Sequence, residues 1–241
     1  MIYIAAKAAI ATSAAMSPSH PGTERMNTIV CFGDSNTWGC PPFTNIAQTP
    51  DRIAPHQRYP NVIGRYLGPE TWIVEEGLSG RTTVFDDPIE GIHKNGMRTI
   101  IPVLETHAPI DVLIIMLGGN DFKEQYGISA YNSARGMLTL VQTIKGHYAL
   151  AETCPEILIV TPPSITDIAE PAMWGEAWKK CIDHAYYLEQ VANRTGCFHY
   201  DANRVAKAGM DGCHMEPEDH EALGKALAEE VRAILKLRQT K

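Results

Sequence analysis

No stretch of the 241 residues approaches the ~18 consecutive apolar positions that a membrane-crossing helix needs. A basic surplus is also missing. Lys and Arg number 21 against 28 Asp and Glu, a net charge of −7, which is the wrong balance for a surface that grips nucleic acid. The six cysteines (Cys31, Cys40, Cys154, Cys181, Cys197 and Cys213) form no C-x-x-C pair and no zinc-like spacing. They read as buried thiols of a reducing compartment. There is no internal repeat and no collagen-like or low-complexity bias. Neither G-x-G-x-x-G nor G-x-x-x-x-G-K-[ST] occurs after the first strand signal, which excludes the usual dinucleotide and P-loop sites. With 44% hydrophobic and 20% charged residues, what remains is an acidic cytoplasmic domain with enough apolar material for a sizeable core.

Residues 1–25 are alanine-rich and then turn polar at Ser17-Pro18-Ser19-His20-Pro21-Gly22. No basic cluster precedes the small-residue segment and Lys7 interrupts it, so it is a poor secretory signal. A loosely attached helical extension is expected, with a single domain over 26–241.

From Thr28 onward, short β-branched runs alternate with longer helical stretches. Strands are expected at Thr28–Phe32, Thr71–Glu75, Val112–Leu117, Ile157–Thr161 and Cys197–Tyr200, and helices near Tyr59–Leu67, Thr99–Thr106, Asn132–Leu150, Trp174–Asn193 and Pro217–Leu237. The runs VLIIML and ILIV are apolar throughout, as suits central strands covered on both faces. Leu223, Leu227, Val231 and Leu235 give the last helix an apolar stripe. Alternating βαβα predicts a three-layer αβα domain on a five-stranded parallel sheet.

In such a sheet, ligands bind outside the carboxyl ends of the strands. The residues that follow the strands are Gly33-Asp34-Ser35-Asn36, Gly77-Leu78-Ser79-Gly80-Arg81, Gly118-Gly119-Asn120-Asp121 and Asp211-Gly212-Cys213-His214. A serine hydroxyl, glycine turns, an amide and an Asp-x-x-His pair on one rim are the parts of an acyl-transfer site. Each has a plain alternative taken alone. Ser35 can cap a helix, Gly80 and Gly118-Gly119 can simply turn the chain, Asn120 can bond its own loop, and His214 can be an exposed loop residue. Meeting at four strand ends, they are harder to dismiss. Gly77-Leu78-Ser79-Gly80-Arg81 fails the G-x-S-x-G elbow at its last position, so Ser79 is a poor nucleophile. Cys213 is expected to pack, since a sequence neighbour usually points elsewhere. His220 is expected on the surface of the last helix, Asp34 and Asp121 are expected to anchor their turns, and no metal is expected.

Read in order, these four blocks resemble those of the SGNH, or GDSL, hydrolases, over most of residues 28–237. CFGDSNTWG, EEGLSGRTT, Asp86-Asp87-Pro88, LIIMLGGND and DGCH look like the bacterial arylesterase and acyltransferase branch. The resemblance implies a flavodoxin-like sheet and a serine esterase. Ser35 would be the nucleophile, His214 the base, Asp211 its orienting partner, and the Ser35 and Gly80 N–H groups with the Asn120 amide the oxyanion donors. Trp38 would line the substrate side, and the loop 162–178, with Met173, Trp174 and Trp178, is a candidate second wall. A small-molecule ester, hydrolysis with possible transfer to alcohols, no cofactor, no nucleic-acid or membrane partner, and a homo-oligomer are the accompanying expectations. A carbohydrate acetylesterase using the same triad is the alternative, and a non-catalytic binding module a weaker one.

Overall fold

A computed structural model describes residues 26–43, 51–151 and 153–240. The expected extension over 1–25 and part of the loop 39–56 lie outside the described residues.

Five strands form one parallel sheet: β1 (Asn27–Gly33), β2 (Thr71–Gly77), β3 (Val112–Met116), β4 (Glu156–Thr161) and β5 (Phe198–Asp201). Their order is β2-β1-β3-β4-β5, the flavodoxin-like arrangement. β3 lies between β1 and β4, and all five of its residues are buried. The period-2 pleat divides them. Leu113 and Ile115 join Ile100, Leu104, Leu140 and Leu188 in one core, while Val112, Ile114 and Met116 join Ile63, Leu227 and Val231 in the other. Two covered faces explain why VLIIM carries no polar alternation. Truncating Leu113 to Ala would cost about 2–5 kcal/mol.

The first core is covered by α3 (Gly96–His107), α4 (Ala130–His147) and α6 (Ala177–Thr195), and the second by α2 (Tyr59–Leu67) and α7 (Pro217–Gln239). Two short helices, α1 (Ser35–Trp38) and α5 (Pro171–Trp174), sit at the rim. The single helix expected over 174–193 is interrupted at Gly175 (φ +49°), which separates α5 from α6.

His220 corrects an expectation. It is fully buried rather than on the surface of α7. It lies on the same face as Leu223, Gly224 and Leu227, one helical repeat before the apolar stripe. Its Nδ1 accepts the Tyr59 N–H at 3.3 Å, and its ring stacks on Tyr59 with centroids 6.1 Å apart. Burial lowers its pKa to about 3, so the ring is neutral.

Gly33 of β1 is in register with both Gly77 of β2 and Met116 of β3. Three of the four sequence blocks therefore leave the sheet at one level, around the point where the strand order reverses. No helix among the described residues is long and apolar enough to cross a membrane.

Candidate active site

Ser35 opens α1 directly after β1. Asp34 caps that helix, its Oδ1 accepting the Asn36 N–H at 3.0 Å, as expected of a turn anchor. The fourth block reaches the same place from the opposite end of the chain. His214 Nε2 lies 3.0 Å from Ser35 Oγ, and His214 Nδ1 lies 2.7 Å from Asp211 Oδ2. The other carboxylate oxygen, Oδ1, accepts the His214 and Cys213 N–H groups at 2.9 and 3.0 Å, which closes a tight turn. Asp211 Oδ2 also accepts the Phe43 N–H at 3.2 Å, and the Phe43 ring stacks on the imidazole with centroids 5.4 Å apart. A hydroxyl, an imidazole and a carboxylate thus stand in hydrogen-bonded line.

Asn36, which sequence reasoning passed over, ties the first block to the last. Its Nδ2 donates to the Cys213 carbonyl at 3.1 Å and its Oδ1 accepts the Met215 N–H at 2.9 Å. These two hydrogen bonds, spanning 177 and 179 residues, hold Ser35 at its distance from His214. Nothing in the sequence distinguishes Asn36 from any other polar neighbour of a turn.

Electrostatics reinforce the line. Burial, the largest single influence, would lower the His214 pKa, but the hydrogen bonds with Asp211 first and then with the neighbouring thiols together outweigh it and leave the imidazole well above the ordinary histidine value. Burial would raise Asp211, and its bonds to His214 instead hold it below the usual carboxylate range. Each member of the pair favours the charged form of the other.

Asn120 follows β3. Its Nδ2 lies 3.3 Å from Asp34 Oδ2 and 3.2 Å from the Arg81 carbonyl, both long for hydrogen bonds. Behind it, Asp121 is fully buried and joins the second block to the third. It accepts the Thr83 N–H at 2.9 Å and the Thr83 and Ser133 hydroxyls at 2.7 and 2.6 Å. Ser133 in turn meets His184 Nε2 at 3.3 Å. Gly118, before Asn120, has φ +119°, and a Cβ there would lie 2.5 Å from His184 Cε1. Burial raises both Asp34 and Asp121 to about 6. Arg81, buried, donates to the Gly33 and Glu76 carbonyls and lies 4.0 Å from the centre of the Phe32 ring.

Gly80 occupies the turn after β2 with φ +79°, and a Cβ there would lie 2.5 Å from Glu90 Oε2. Neither its N–H nor that of Ser35 has a partner among the described residues.

A narrow cavity of about 20 Å³ opens beside Ser35, between Gly119, Asn120, Pro162, Pro163, Ile165 and Trp174. Trp174 is therefore the aromatic at the wall. Trp38 is not among its lining residues. Its ring lies 5.0 Å below the Arg52 guanidinium, and its carbonyl accepts from Arg52 Nε at 2.5 Å. The expected wall from 162 to 178 is thus represented by Pro162, Pro163, Ile165 and Trp174, while Trp178 is partly exposed on α6. Cys213 also departs from expectation. Instead of packing away from the site, its Sγ lies 3.3 Å from His214 Nδ1. Asp211, Cys213 and His214 bring their ligand atoms within 4.8 Å of one another, the one such trio of metal-ligating groups among the described residues.

Comparison with known proteins meets this geometry from outside. The family model described as the GDSL-like Lipase/Acylhydrolase family matches residues 31–222. The chain belongs to that family. A solved structure titled Est24, a carbohydrate acetylesterase from Sinorhizobium meliloti, is similar to this GDSL-like hydrolase at 32% identity and TM-score 0.81, covering 86% of this chain and 99% of that one. The native M. smegmatis aryl esterase shares 33% identity at the same coverage, also with TM-score 0.81. A further S. meliloti carbohydrate acetylesterase family member shares 34% identity over 88% of this chain and all of its own, again with TM-score 0.81. No curated protein matches the chain. The parallel sheet with its flanking helices is the SGNH hydrolase fold of these structures, and the protein is an ester hydrolase of that family.

Proposed function

We propose that this GDSL-like hydrolase cleaves small acyl esters, acetyl or aryl, through an acyl-enzyme on Ser35. The observation that carries the reading is the line Ser35 Oγ, His214 Nε2, His214 Nδ1, Asp211 Oδ2, at 3.0 and 2.7 Å. Nε2 takes the hydroxyl proton as Oγ attacks the ester carbonyl, and later returns it to the leaving alkoxide. Asp211 fixes the tautomer and stabilises the imidazolium. The N–H groups of Ser35 and Gly80 are without partners among the described residues and available to the oxyanion. The Asn120 amide would join them by giving up one of its two long contacts.

The cavity supports a small acyl group. It is narrow where Gly119, Asn120 and Trp174 meet Ser35, which favours a short acyl chain over a long one. Its apolar wall of Pro162, Pro163, Ile165 and Trp174 disfavours water, which supports transfer to an alcohol as a competing fate of the acyl-enzyme. Similar structures include both an aryl esterase and a carbohydrate acetylesterase, so acetylated sugars are the second reading. Trp178, Ile182 and Tyr186 form an exposed apolar row along α6 that supports the expected homo-oligomer, measurable by light scattering.

The test is labelling by a fluorophosphonate, with the adduct located by mass spectrometry, alongside turnover of p-nitrophenyl acetate. Labelling is expected at Ser35, and Ser35→Ala is expected to lose turnover by several orders of magnitude. Near wild-type turnover in a folded Ser35→Ala protein would overturn the mechanism. Rates on acetylated sugars against aryl acetates then separate the two substrate classes.

A further inference from the structure

We propose that Asp211, Cys213 and His214 form a binding site for a thiophilic divalent cation of the zinc type, and that occupying it switches the esterase off. The three side chains offer a carboxylate oxygen, a sulfur and an imidazole nitrogen, the donor set zinc favours, all within 4.8 Å. They come from one turn, Asp211-Gly212-Cys213-His214. That turn is fixed because Asp211 Oδ1 accepts the N–H groups of both Cys213 and His214. Oδ2 is left facing the imidazole as the ligand oxygen.

The distances suit a tetrahedral ion. With Zn–N near 2.05 Å and Zn–S near 2.3 Å, the N···S edge of the tetrahedron is about 3.5 Å. Cys213 Sγ and His214 Nδ1 stand 3.3 Å apart. The corresponding N···O edge is about 3.3 Å, whereas Nδ1 and Oδ2 are 2.7 Å apart, so the ion must open the Asp211–His214 hydrogen bond by about half an ångström.

Loss of activity follows from proton bookkeeping on the ring. Nδ1 coordinates only without its proton, so the remaining ring proton sits on Nε2. The Cys213 thiol proton leaves to solvent as the thiolate binds. Nε2–H then points at Ser35 Oγ and donates where the reaction needs it to accept. The nucleophile stays in place, but the base facing it is spent.

The binding claim is independent of the proposed function; the inhibition claim rests on it. The full chain, stripped with EDTA, is titrated with CoCl₂ and separately with ZnCl₂. Wild type is expected to develop the near-ultraviolet thiolate-to-Co²⁺ charge-transfer band, abolished by Zn²⁺, present in Cys154→Ser and absent in Cys213→Ser. Since loss of an outer partner alone weakens metal sites by about 10–100-fold, loss of this ligand is expected to weaken binding by at least about tenfold. Zn²⁺ is expected to lower wild-type turnover of p-nitrophenyl acetate at least tenfold, reversibly with EDTA, and Cys213→Ser by less than twofold against its own metal-free rate. Cys213→Ala replaces Cys213→Ser if the latter fails to fold. No band in wild type, or an undiminished band in Cys213→Ser, overturns the site. A band with full turnover in Zn²⁺ overturns the switch. If metal-free wild type does not turn over the ester, the proposed function fails, while the band still decides the site.

Discussion

Asp211→Asn is the perturbation whose outcome the hydrogen bonds determine most completely. An asparagine has one acceptor oxygen and one donor nitrogen, so it must choose an orientation. Placing NH₂ at the Oδ1 position sets it against two backbone N–H groups, those of His214 and Cys213. Placing it at the Oδ2 position sets it against one, that of Phe43, and otherwise against His214 Nδ1. Two donor–donor conflicts lose to one, so the amide nitrogen faces the imidazole. Nδ1 must then accept, the ring proton moves to Nε2, and Ser35 faces a donor instead of a base. The same wrong-tautomer substitution in a serine protease triad costs about 10⁴ in kcat, or about 5.5 kcal/mol of transition-state stabilisation. That magnitude is expected here, with KM little changed. The pH profile supplies a second readout. In wild type the Asp211 bond holds His214 above its ordinary value, and the ring must be neutral to act, so kcat/KM rises with pH through a value above 6.5. In Asp211→Asn that limb moves to lower pH as its plateau falls. Turnover within about tenfold of wild type, in a variant with an unchanged melting temperature, would refute the tautomer argument.

Asn120→Ala is expected to lower kcat by about 10²–10³ if the amide serves the oxyanion, and a change confined to KM would assign it to ground-state binding. Stability against pH has a worked shape. His184 and His220 are buried with pKa values lowered from 6.5 to about 3, so their contribution is present above 6.5 and lost as pH falls toward 3. Asp34 and Asp121 are raised from 3.8 to about 6, so their contribution is present below 3.8 and lost as pH rises through 6. Among these four groups, between 4 and 6 the unfolded chain carries two extra protons on the histidines and the fold two extra on the carboxyls, which cancel, leaving only the smaller fall from His199, whose burial also lowers it. Below 3.8 only the histidine difference remains, and stability should fall by about 2.7 kcal/mol per pH unit, further steepened by Asp211 and Asp86, which the fold holds below the usual carboxylate range. Urea unfolding across pH 7 to 3 measures this, and a fall from 6 to 4 as steep as that at lower pH would contradict it.

Element types and the candidate site residues were legible in the sequence for one physical reason. Parallel strands buried on both faces write themselves as apolar runs, and whatever follows such a run lies at the carboxyl edge. Register then did the rest, since Gly33, Gly77 and Met116 stand level. What escaped depends on side-chain direction rather than position. Trp38 and Trp174 are equally plausible walls on composition, and only the path of the loop after β4 puts Trp174 beside Ser35. His220 escapes because its polar side chain argues for the surface, while what holds it inside, the Tyr59 N–H, is 161 residues away. Asn36 was invisible for the same reason.

The polar groups behind the site explain how four loops that leave the sheet edge separately hold one geometry. Asn36 bonds the first block to the fourth, Asp34 and the Arg81 carbonyl hold the Asn120 amide of the third, and Asp121 bonds the third block to Thr83 of the second. Every block is thereby fixed by a side chain or carbonyl of another. Two of the anchors are carboxyl groups whose burial raises them to about 6, a cost that the neighbouring N–H groups, hydroxyls and, for Asp34, the Arg81 charge offset only in part. A fold that keeps such groups inside is trading stability for the placement of loops. The trade is intelligible only if the positions of Ser35, Gly80, Asn120 and His214 relative to one another matter more than the few kcal/mol forgone.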